Sequence, residues 1–167
     1  MLRIIGSTEL NVCSVQVADY LPISVRCTQV ASPTPLYWRT GDFKKSLLEI
    51  GLNQNTGELY RVTVTLIGNY SRGEIEAFAE ARTVQGSVPI CDISGWPADR
   101  FKDEPFTFTT LIGEDSVSIW LGPTASLKTI YEIGHVRFAA DGEANLRVLQ
   151  FTHLSRSDLD RIIKTII

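Results

Sequence analysis

The sequence predicts a mainly β fold of the α+β class, an antiparallel β-sandwich or strongly curved sheet with one short C-terminal helix. Three observations predict it. Short runs rich in Val, Ile, Thr, Phe and Tyr recur along the 167 residues, broken by Gly, Asn, Asp and Pro, which is the strand-and-turn signature. In residues 59–67, Val62, Val64 and Leu66 alternate with Arg61, Thr63 and Thr65. A period of two with one apolar side is a half-buried antiparallel strand. Helical spacing is clearest at the end of the chain, where Leu159, Ile162, Ile163 and Ile166 share one face.

Taken in order, residues 12–17 and 23–30 alternate weakly as strands. The stretch 32–35 then breaks the chain, because proline donates nothing to a ladder. Residues 47–52 and 59–67 pair across the turn-rich Asn53-Gln54-Asn55-Thr56-Gly57-Glu58. Residues 75–84 read as a helical turn or as a strand, since Ile75, Ala77, Ala79 and Ala81 also alternate. A second hairpin joins residues 106–112 and 117–121 around Gly113-Glu114-Asp115-Ser116, and a third joins 133–139 and 146–152 around Asp141-Gly142-Glu143. Leu48-Glu49-Ile50-Gly51 echoes Tyr131-Glu132-Ile133-Gly134, which raises an internal duplication. In residues 155–167, Ser155 is placed to cap a helix and Asp158 sits near its positive end.

The length suits one domain, residues 1–167, large enough to bury a core without staples. No apolar run approaches the ~20 residues that span a bilayer, so no membrane role is expected. Cys13, Cys27 and Cys91 are odd in number and match no zinc spacing. Buried, reduced thiols in a cytoplasmic protein are expected.

The residue patterns point away from catalysis. No Gly-x-Ser-x-Gly turn and no phosphate-binding glycine loop occurs. Cys91 lies in the apolar run Val88-Pro89-Ile90-Cys91-Asp92-Ile93, where a thiol is core. His135 and His153 are the only histidines. Antiparallel pairing would bring them together, with Glu132 as a third ligand, but two histidines without motif spacing assign no metal. No cofactor is implied, and the chain reads as a binding protein rather than an enzyme. Trp38, Trp96 and Trp120 keep open a carbohydrate-binding or carbohydrate-processing role, provided two rings lie side by side. A self-associating structural module is the other alternative.

Net charge is −3, and its distribution is uneven. Glu74, Glu76, Glu80, Asp92, Asp99, Asp103, Glu104, Glu114 and Asp115 fall in residues 74–115, interleaved with Tyr70, Phe78, Trp96 and Phe101 nearby. A direct nucleic-acid binder would need a basic stripe instead. An acidic face suits a basic protein partner. The loop Ser94-Gly95-Trp96-Pro97 offers a large aromatic anchor.

Tyr37-Trp38-Arg39, then Phe43 to Leu52, Thr56-Gly57-Glu58-Leu59 and Val62 to Leu66, resembles bacterial immunity proteins of polymorphic toxin and contact-dependent growth inhibition systems. So does the closing pattern Val136-Arg137-Phe138, Asp141-Gly142, Leu146 to Phe151 and Leu154-Ser155. The resemblance implies that the partner is the C-terminal domain of a cognate toxin, many of which are nucleases with basic sites. It implies neutralisation by covering the toxin's active site or substrate-docking face. Asp99, Asp103, Glu104, Glu114 and Asp115 would then meet basic toxin residues, with Trp96 and Phe101 as anchors. Some immunity proteins dimerise, so a homodimer falls within what the resemblance implies.

Overall fold

A computed structural model describes residues 1–10, 12–27 and 34–166. The strands in chain order begin with β1 (Ile4–Glu9), β2 (Ser14–Ala18), β3 (Leu21–Arg26), β4 (Leu36–Thr40), β5 (Leu47–Leu52), β6 (Leu59–Leu66) and β7 (Tyr70–Arg72). After a 3-10 turn at Glu76–Glu80 come β8 (Arg82–Gln85), β9 (Ser87–Cys91), β10 (Phe101–Asp103), β11 (Phe108–Ile112) and β12 (Val117–Leu121). Last are β13 (Leu127–Ile133), β14 (Val136–Asp141), β15 (Leu146–Phe151) and the helix α1 (Arg156–Lys164). The mainly β expectation with a short C-terminal helix holds.

Two large sheets form the layers. One has the order β10-β4-β5-β6-β3-β2, the other β7-β11-β12-β15-β14-β13-β8. One contiguous core joins them, with Trp38, Phe138 and Phe151 fully buried. Truncating any of these to Ala would cost about 3–5 kcal/mol. The pairing is not wholly antiparallel. β10 on β4, β7 on β11 and β8 on β13 run parallel, and all three are outermost strands, added by long crossings that local pattern does not encode.

Several boundaries match the sequence and others do not. β5 and β12 begin and end where the apolar runs do. Residues 75–84 contain both readings in succession, the 3-10 turn and then β8. The strand expected at 133–139 is cut by a tight turn at Gly134-His135, with Gly134 at φ +56, so β13 ends and β14 begins there. Residues 28–30 of the second expected strand, and 32–33 of the proline break, lie outside the described residues. At α1, the Ser155 hydroxyl accepts the Asp158 N–H and Asp158 accepts the Ser155 N–H, both at 3.1 Å, a reciprocal capping box. Leu159 and Ile162 are then buried, with α1 packed on β2 and β3.

The cysteines need a correction. Cys13 and Cys27 are joined as a disulfide. They sit opposite each other just beyond the Ser14–Arg26 pair of the β2–β3 hairpin, a relation visible only once register is known. Cys91 is the buried thiol expected, its ionisation pushed up to about 12 by burial.

The two sheets repeat one topology. β2-β3-β6-β5-β4 in the first corresponds to β11-β12-β15-β14-β13 in the second. A two-stranded ribbon of β1 and β9 ties the halves reciprocally. Ile4 N–H donates to the Ala144 carbonyl at 2.8 Å, in the β14–β15 turn. Cys91 N–H donates to the Gly57 carbonyl at 2.9 Å, in the β5–β6 turn. Ile4 and Cys91 face each other in the ribbon, as a two-fold relation requires. Both turns are shaped alike. The Asn53 side chain accepts from the amides of residues 55 and 56, and Asp141 from those of 143 and 145. Gly57 (φ +74) and Ala144 (φ +63) share the left-handed position. The echo seen in the sequence joins β5 to the end of β13, which are not equivalent strands, so the repeat is one of topology.

Candidate functional site

Four of the seven residues expected at a binding surface lie on β10 and the loop before it, and Glu104 follows directly after β10. The loop turns through Gly95 (φ +66) and Arg100 (φ +70). The Trp96 indole N–H donates to the Arg100 carbonyl at 3.0 Å, and Lys102 Nζ lies 5.6 Å from the ring centroid. Asp99 accepts the Phe101 N–H at 3.3 Å. Alternation along β10 then splits the carboxylates. Phe101 and Asp103 face outward, while Lys102 and Glu104 are half-buried on the other side. Asp103 is held by Arg39 through two bonds of 2.7 and 2.9 Å. Burial works to raise the Glu104 carboxyl, but the Met1 amino group and Lys102, 3.3 Å away, outweigh it and hold it below its ordinary value.

The outer face of the six-stranded sheet, beside Phe101, carries residues that the sequence did not place at a binding surface. Phe101 stacks on Tyr37 with centroids 5.3 Å apart, and the Arg39 guanidinium lies 4.4 Å from the Phe101 centroid. Tyr37 pairs with Gly51 across β4–β5, and the Tyr60 ring covers Gly51. The Tyr60 phenol is pushed up to about 12, first by burial and then by the neighbouring Tyr37 hydroxyl. Three rings therefore cross four strands in a row. Around them lie Arg26, Glu49 and Arg61. Burial raises the Glu49 carboxyl despite Arg61 and Arg39. Arg61 donates to the Thr63 hydroxyl at 3.2 Å, and among the described residues neither it nor Arg26 forms an ion pair. One signal pointed here: a glycine inside an otherwise apolar strand marks a close approach.

Glu114 and Asp115 stand elsewhere, in the β11–β12 turn of the other sheet. No hydrogen bond or ion pair among the described residues joins them to the β10 group. Glu74 anchors that turn, accepting from the Ser116 hydroxyl at 3.1 Å and the Glu114 N–H at 3.3 Å. Its carboxylate fills the space where a side chain on Gly113 would begin. A cleft of about 470 Å³ opens there between Arg72, Glu74, Glu114 and Arg156. A neighbouring one of about 370 Å³ includes Glu76, Leu111 and Trp120.

The three indoles do not share a surface. Trp38 is fully buried in the core. Trp120 is 8% exposed in the second sheet, its N–H donating to the Pro123 carbonyl at 3.2 Å. Trp96 stays on its loop. His135 and His153 do meet, Nδ1 to Nδ1 at 3.0 Å, whereas Glu132 pairs with Arg137 at 2.8 Å.

No protein-family model and no curated protein matches the chain. Among the described residues, no helix is long and apolar enough to cross a membrane.

Proposed function

We propose that the chain binds and neutralises a cognate bacterial toxin domain, as an immunity protein does, through the outer face of the six-stranded sheet and its β10 margin. The row Tyr60, Tyr37 and Phe101, seated on Gly51 and bordered by Arg39, Asp103, Glu49 and Arg61, carries this reading. Interface centres concentrate stiff aromatic rings and arginines. A sheet holds such rings in place before a partner arrives, so little freedom is lost on binding. The immunity-like wording around Tyr37-Trp38-Arg39 supports the class of partner, and a nuclease domain covered at its active site or docking face is the target proposed.

The surface is mixed in sign rather than uniformly acidic. Asp103 and Glu104 already have cationic neighbours within the chain, so charge here sets orientation more than attraction. Glu114 and Asp115 belong to the β11–β12 turn of the other sheet, where Arg72 and Arg156 also line the cleft. A cytoplasmic location goes with this role, although the Cys13–Cys27 bond is of a kind that persists mainly in oxidising compartments.

The test mixes the purified chain with the C-terminal domain of a large effector found encoded next to its gene. A one-to-one complex in light scattering and loss of toxin activity are expected, with Phe101→Ala weakening the complex by roughly tenfold or more. Absence of any complex sinks the reading. Unchanged affinity in both Phe101→Ala and Tyr37→Ala removes this face from it.

A further inference from the structure

The two histidines are brought together by backbone features at separate places. His135 occupies the second position of the β13–β14 turn, after Gly134 at φ +56. Its carbonyl accepts the Thr152 N–H at 2.9 Å, which locks the turn to the end of β15. His153 follows at φ +58, a left-handed conformation uncommon outside glycine. That twist carries the His153 ring back toward the turn instead of along the strand. The ring centroids are 4.6 Å apart and inclined by 47°. The Thr152 hydroxyl is 3.1 Å from His153 Nδ1.

We propose that His135 and His153 form a two-imidazole binding site for a late first-row divalent ion, Cu²⁺ above Ni²⁺ or Zn²⁺, coordinated through both Nδ1 atoms with water completing the shell. Two nitrogens bound to one ion at about 2.0–2.1 Å stand about 3 Å apart when they occupy neighbouring positions, and the Nδ1 atoms are separated by 3.0 Å. Imidazole suits these ions, and their order follows the general affinity series. Both rings are exposed, so an ion reaches them without the core opening. No group of three His, Cys, Asp or Glu side chains among the described residues is arranged to hold an ion. The site therefore has two protein ligands and is weaker than a structural zinc centre. An ion there would clip the β13–β14 turn to the junction before α1.

The experiment is calorimetric titration of the full chain with Cu²⁺ and with Zn²⁺, beside His135→Ala and His153→Asn. Asparagine is chosen at 153 because it tolerates the left-handed backbone, and thermal melts check that both variants fold. One Cu²⁺ per chain is expected, held more tightly than Zn²⁺, with each variant at least tenfold weaker. Imidazole ¹⁵N spectra on adding Zn²⁺ should move Nδ1, not Nε2, of both residues. Wild type that takes up no ion, variants that bind as wild type does, or loss in one variant only would each overturn the two-imidazole site.

Discussion

Gly51 lies directly beneath Tyr60: a Cβ at position 51 would sit 3.2 Å from the Cε1, Cζ and hydroxyl oxygen of that ring. The ring must lift if the glycine is replaced. Gly51→Val is expected to destabilise the fold by about 1–3 kcal/mol through overpacking. It should also expose the Tyr60 phenol, so that ionisation pushed up to about 12 by burial and Tyr37 falls toward the ordinary value of about 10. Urea unfolding and absorbance titration of the tyrosines measure the two effects.

Asp103→Asn removes the bidentate partner of Arg39. The two side chains are 46% and 31% exposed, so solvent screens the pair and the stability cost should be under about 1 kcal/mol. The melting temperature should barely move. Any loss of toxin binding in this variant then reports on the interface and not on the fold.

Asp141 holds the β14–β15 turn. Burial alone would raise its carboxyl, but Arg147 and the Asn145 and Glu143 amides outweigh it and depress it below the ordinary value. A depressed folded-state value means that the stabilisation is complete above the unfolded carboxyl's range. It is lost as pH falls through the folded value. Asp141→Asn should be destabilised by about 3 kcal/mol at neutral pH, as removal of one partner from a largely buried pair is. Its stability should also fall less on acidification than that of the wild type. Urea midpoints between pH 7 and pH 3 measure both.

Thiol titration separates the cysteines. The folded chain should yield no reactive thiol, because Cys91 is buried and its ionisation is pushed up to about 12. Denaturation alone should release one thiol, and denaturation with a reductant three. Three thiols without reductant would mean that Cys13 and Cys27 are not bonded.

Local pattern made β5, β12 and the capped α1 legible, because each is set by its own apolar spacing or by Ser155 and Asp158. β7 and β10 are three residues long, too short to show a period, and they exist only because β11 and β4 offer free edges. The acidic block looked uniform along the chain, but strand alternation sends Asp103 and Glu104 to opposite sides of β10. Arg39, the partner of Asp103, comes from the neighbouring β4, which is far away in sequence. The row of Tyr37 and Tyr60 is invisible in the sequence for the same reason, since it exists only across strands.

The reciprocal ribbon makes the halves interdependent. Each lends a strand that the other's turn must receive, so a fragment holding one half would leave a bare edge and an unfilled turn. Such an edge seeks any chain able to pair with it. Two copies exchanging halves would restore every one of those bonds. Proteolytic nicking between the repeats should therefore yield species that pair up or precipitate, not two small stable proteins.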